Sequence, residues 1–142
     1  MSAINPPDTA PRWPRLTVMT MEGFVSVAAL IAGLLFIVQP DGSLLGVTPS
    51  LLSGTPFSDY TVPGLLLLLV VGCGTLLAAA SVYWHSQSAC DLVMSTGFML
   101  VVFEVVEGML IGFNPQQALI GLVGVALIAL AFRLPGSVRG GT

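Results

Sequence analysis

Val62-Pro-Gly-Leu-Leu-Leu-Leu-Leu-Val-Val-Gly-Cys-Gly-Thr-Leu-Leu-Ala-Ala-Ala-Ser-Val-Tyr-Trp84 is an apolar run with no charged side chain. Its length matches the roughly 20 residues that an α-helix needs to cross a hydrocarbon core of about 30 Å. Met21–Val38, Leu92–Phe113 and Gln116–Phe132 carry the same signature. The sequence therefore predicts an all-α membrane protein, a four-transmembrane-helix bundle over residues 21–133, with spans at 21–38, 62–84, 92–113 and 116–132. Flexible segments, 1–20 and 134–142, flank it. The first and fourth spans are near the minimum length, so their ends extend into the headgroups with Arg133 snorkelling outward. The first span reads as a retained anchor, because its apolar run exceeds a signal-peptide core and Phe36–Leu44 offers no small-x-small cleavage site.

Composition agrees with a chain coated by lipid. Hydrophobic residues make up 55% and charged residues 8%, too little polar surface to cover a soluble globule of 142 residues. A net charge of -3 with no basic stripe excludes nucleic acid as a partner. Cys73 and Cys90 lack metal-ligand or C-x-x-C spacing and read as buried structural thiols. His85 is the sole histidine and cannot supply a bis-histidine haem site. With no catalytic motif, phosphate loop or ligand cluster, the expectation is a non-enzymatic protein without cofactor or metal.

Orientation follows from the arginines. Arg12 and Arg15 precede the first span, Arg133 and Arg139 follow the fourth, and the segments between spans carry none. The positive-inside rule then places both termini of a multi-pass cell-membrane protein in the cytoplasm and Gln39–Thr61 outside. Trp13, Tyr60, Tyr83 and Trp84 fall near span ends, where amphipathic rings prefer to sit. Pro6, Pro7, Pro11 and Pro14 argue against helix in the first segment. In the outer loop, Thr48 before Pro49 and Gly54 beyond bracket a one-turn helix on the membrane surface. Asn114, Pro115 and Gln117 have the spacing of a capping box that opens the fourth helix.

Glu104 and Glu107 are the chemical oddity, two carboxylates three residues apart inside an apolar span of a chain that contains no lysine. Glu104 lies roughly 13 Å from the outer end of its span at helical rise, near the midplane. Each charged acid costs about 2.5 to 3.5 kcal/mol on insertion scales, and each good apolar residue returns only about 0.3 to 0.6. Neighbouring like charges in a low dielectric oppose double ionisation, so the pair is expected to keep at least one proton at neutral pH. Glu104, Gly108 and Gly112 repeat every four residues, a small-residue stripe that predicts burial against another helix. Ala29 and Gly33 in the first span and Gly74 in the second offer matching small surfaces, and Thr75, at a similar depth, is the candidate hydrogen-bond partner. Glu22 reads as an interfacial acid two turns from Arg15.

The run Gln39-Pro-Asp-Gly-Ser-Leu-Leu-Gly46, then Gly54-Thr-Pro-Phe-Ser-Asp-Tyr60 and Pro63-Gly64, resembles small four-span integral membrane proteins of high-GC bacteria. The resemblance covers the first two spans and their loop. It implies a fold and a compartment, and brings no activity or site residues. Small multidrug-resistance exporters are similar in size alone, since here the acids lie in the third span and the outer loop is extra.

Two functions fit these features. One is an oligomeric bundle or accessory subunit that works by association with itself or with other membrane proteins; the other is a proton- or cation-coupled carrier that uses Glu104 and Glu107. The topology is testable directly. Cysteine placed at Ser43 or Ser53 should react with an impermeant reagent in intact cells, and protection there with labelling of a tail would reverse the orientation.

Overall fold

The computed structural model describes residues 12–113 and 115–134, which are helical without any strand. Helix α1 spans Trp13–Val38, α2 Thr61–Tyr83, α3 Ala89–Ile111 and α4 Pro115–Ala131. The first three are long and apolar enough to cross a membrane. α4 is apolar but has 17 residues, about 25 Å at helical rise and short of a 30 Å core.

Helix α1 begins eight residues before the apolar run from Met21. Pro14 stands in its first turn, where the missing N–H would have no intrahelical acceptor and the fixed φ suits a helix start. Residues 13–20 thus belong to α1 rather than to a loose leader. Positions 1–11, 135–142 and the proposed cap Asn114 lie outside the described residues.

The helices pair as two hairpins, α1 with α2 and α3 with α4, which meet chiefly through α2 and α3. Glycine sets the closest approach in each. A Cβ on Gly33 would sit 2.7 Å from the Gly64 carbonyl, and one on Gly64 would sit 3.0 Å from the Gly33 carbonyl. In the second hairpin Gly97 and Gly124 stand in the same relation, each 2.7 Å from the other's carbonyl. Such small residues let backbones touch, which supplies dispersion contact where lipid removes any hydrophobic drive between helices.

Helix α2 widens to a π-helical stretch over Leu67–Gly72, where the Cys73 N–H reaches back five residues to the Leu68 carbonyl. It ends in a Schellman motif. His85 takes the left-handed conformation, φ 55°, usually filled by glycine, while its N–H bonds to the Val82 carbonyl and the Ser86 N–H to the Ser81 carbonyl.

The loop between α1 and α2 is folded. Pro49–Leu52 forms a single 3-10 turn after Thr48, and Gly54 follows at φ 92°. Tyr60, the residue before α2, pins the loop. Its ring is buried and stacks on Phe36 at 4.7 Å, its N–H donates to the Pro40 carbonyl, and its hydroxyl donates to the Thr48 carbonyl at 2.9 Å. Asp41 accepts the Ser43 N–H and Asp59 the Thr61 N–H at the start of α2, which holds both carboxyls below their ordinary range.

The glycine contacts give a paired test. Gly97→Ala or Gly124→Ala should cost about 1 to 3 kcal/mol, because backbone must shift to admit the methyl group. Gly121→Ala, with nothing within 4 Å of its Cβ, should be neutral or slightly stabilising. Denaturation of the three variants in one detergent would check this.

Candidate functional site

One face of α1 is unlike the rest of that helix. Pro14, Val18, Glu22, Ser26, Ala29 and Gly33 recur every three or four residues and all are buried, so a helix whose other faces carry exposed Phe24, Val27, Ile31 and Leu34 turns its small and polar groups inward. Glu22 is 0% exposed. It does not pair with Arg15 at an interface, because Arg15 donates to the Val82 carbonyl at 2.6 Å. Its partner is Thr96 of α3, whose hydroxyl lies 2.5 Å from Glu22 Oε1 and 3.0 Å from the Val93 carbonyl. This contact joins the two hairpins. Glu22 Oε2 is buried without a hydrogen-bond partner.

One turn further along α1, Ser26 donates to the Gly72 carbonyl at 2.9 Å, at the end of the π-helical stretch. Thr75, fully buried, donates to the Val71 carbonyl at 2.8 Å and lies 3.2 Å from the same Gly72 oxygen. Its single proton thus goes to its own helix, not to Glu104.

Glu104 stands eight residues beyond Thr96 on α3, about 12 Å at helical rise. It is 6% exposed and its Oε2 is buried with no partner. Glu107, half-buried, lies within side-chain hydrogen-bonding reach of buried Gln117 on α4. Gln117 thus faces the interior of the second hairpin, and the capping box that its spacing predicts with Asn114 lies outside the described residues.

The expected glycine stripe divides. Gly108 is buried, but under the ring of Phe113 from the same hairpin end, and Gly112 lies past the helix at φ 88°, exposed, with nothing near its Cβ position. A helix that stops at Ile111 cannot carry a packing face through residue 112. Gly108→Leu would meet a movable side chain, whereas the true crossings use Gly97 and Gly124. Ala29 and Gly33 lie on the buried face of α1, and Gly74 has only Met99 Cε, 3.9 Å from its Cβ position.

An ionised carboxylate with a bare oxygen in an apolar interior costs several kcal/mol unless a cation or further donors meet it. Arg15 is the sole arginine within the four helices, and it is spent on a carbonyl. Among the described residues no three His, Cys, Asp or Glu side chains gather as a metal site. The arrangement can bind protons, or a small cation through carboxylate and hydroxyl oxygens. At the end of the bundle where α1 begins, Arg12, Arg15, Leu16, Met19, Tyr83 and His85 line an open cleft.

Comparison with protein-family models, curated proteins and solved structures gives no match. The site is therefore argued from its own chemistry. Ser26→Ala should cost about 0.6 to 2 kcal/mol, the range for a hydrogen bond between membrane helices, and hydrogen exchange should rise in the Leu67–Gly72 stretch that accepts it.

Proposed function

We propose that the protein is a non-enzymatic four-span membrane bundle, termini on the cytoplasmic side, that takes up and releases protons or a small cation at Glu104 and Glu107. The observation that carries this reading is the buried Glu104 carboxyl, one oxygen without a partner, one helical turn from a second acid in helices whose one cation is committed elsewhere. Acids at bilayer depth are expensive and are retained mainly where they bind or move charge. The fourth span is α4, seated at Gly97–Gly124 and reaching the interface through Phe132 and Arg133. Arg12, Arg15 and Arg133 gather at one end of the bundle and Asp41 and Asp59 at the other, which supports the orientation. The resemblance to four-span proteins of high-GC bacteria fits this reading in architecture.

A second reading, assembly into a homo-oligomer or as an accessory subunit, is favoured by the low burial of the helices. Only 22% of the apolar window of α1 and 33% of those in α2 and α3 lie inside, so most side chains face lipid or a neighbour. Glu107, partly exposed, would then meet a basic group from another subunit.

Glu104→Gln and Glu107→Gln separate the readings, since an amide keeps a donor and an acceptor but does not titrate. In proteoliposomes both variants should stay folded and lose proton or cation flux measured with entrapped dyes. Wild-type flux in the double variant would remove the transport reading. A loss of oligomer size in Glu107→Gln alone would favour assembly.

A further inference from the structure

We infer that Glu22 is a second proton-binding site, separate from Glu104 and Glu107, in which the neutral acid donates to the Thr96 hydroxyl and Thr96 donates to the Val93 carbonyl. The geometry supplies the argument. Thr96 Oγ1 carries one proton and has two oxygens within reach, Glu22 Oε1 at 2.5 Å and the Val93 carbonyl at 3.0 Å. One proton serves two acceptors poorly, and a proton on Glu22 would let each contact be a full hydrogen bond, because a carbonyl has none to give. The remaining oxygen, Oε2, then bears no formal charge, and leaving it without a donor costs far less than stranding a carboxylate.

Apart from the Thr96 hydroxyl, no cation or donor contact among the described residues holds the ionised form. On α1 the one other titratable group is Arg15, two turns away and bonded to the Val82 carbonyl. On α2 the titratable residues are Cys73 and Tyr83, and α4 has none. On α3, Asp91 is exposed one turn before Thr96, Cys90 bonds to the Ala131 carbonyl, and Glu104 and Glu107 lie two turns or more beyond.

Release has a direction. Met19, one turn before Glu22 on α1, lines the open cleft with Arg12, Arg15 and His85, and the proton's path is assigned to that side. When the proton leaves as hydronium, the Thr96 hydroxyl must abandon Val93 to serve the new carboxylate. The contact between α1 and α3 changes from two hydrogen bonds in series to one hydrogen bond and a bare charge.

Infrared difference spectra of the full chain in lipid, titrated between about pH 4 and 9, test this. The E104Q/E107Q double variant should keep a protonated-carboxyl band at neutral pH, since Asp41 and Asp59 titrate below their ordinary range. Adding Glu22→Gln should abolish that band. Should that triple variant not fold, Thr96→Val in the double variant should move the band and its titration midpoint, while Thr96→Ser should leave both in place. A double variant with no protonated carboxyl at neutral pH, or a band untouched by Thr96→Val, would overturn the inference. Either outcome leaves the transport test at Glu104 and Glu107 standing on its own.

Discussion

A carboxyl group in an apolar interior must be met by a cation, by enough donors, or by a proton, and among the described residues of this bundle no arginine pairs with the buried acids. That constraint shapes its centre. Glu22 and Ser26 of α1 point inward, each to a partner on a neighbouring helix, α3 and α2 respectively, while exposed Thr20 bonds within its own helix. Hydrogen bonds between membrane helices are individually weak, yet an unpaired group buried in hydrocarbon is costly. The rotation of α1 about its axis is consequently fixed by what it would lose on turning, more than by what its contacts gain.

The backbone contacts between glycines supply the complementary half of the design. Gly33 against Gly64 and Gly97 against Gly124 draw each hairpin together at points that tolerate no side chain. The hairpins themselves meet with fewer such contacts, and there the carboxyl of Glu22 reaches across. Tight joints within hairpins and a polar joint between them divide the bundle into two stiff units with a chemically responsive boundary.

Much of this was legible in the sequence, and the reasons differ by element. The apolar runs announce α1, α2 and α3 because lipid admits no other backbone arrangement of that length. Pro14 misleads, since proline forbids helix interiors and favours helix starts in the same breath, and only its position in the first turn decides which. Glu104 and Glu107 stand out because their neighbours are apolar, whereas the nearness of Arg15 masks Glu22. Its burial is written in the spacing of Val18, Glu22, Ser26, Ala29 and Gly33, a face of small and polar residues that hydropathy averaged over a window erases. The Gly108–Gly112 pair shows the converse error: spacing describes a stripe only while the helix lasts, and Gly112 ends it. Glycines that do touch, such as Gly97 and Gly124, have no partner four residues away to advertise them.

The π-helical stretch of α2 carries a consequence for how this helix tolerates change in length. Gly64, Leu68 and Gly72 are spaced by four, and all three lie against α1. In a regular α-helix four residues turn through about 400°, so each step along such a row drifts by about 40° and two steps carry it away from a straight neighbour. A segment wound with fewer degrees per residue cancels that drift. The stretch from Leu67 to Gly72 acts as a phase correction, equivalent to one residue stored in the helix. Deleting a single leucine from the run would leave hydropathy and composition almost unaltered while turning Thr75, Ala78 and Val82 about 100° around the helix axis. For this helix the number of leucines is a geometric quantity, and not merely a measure of how apolar it is.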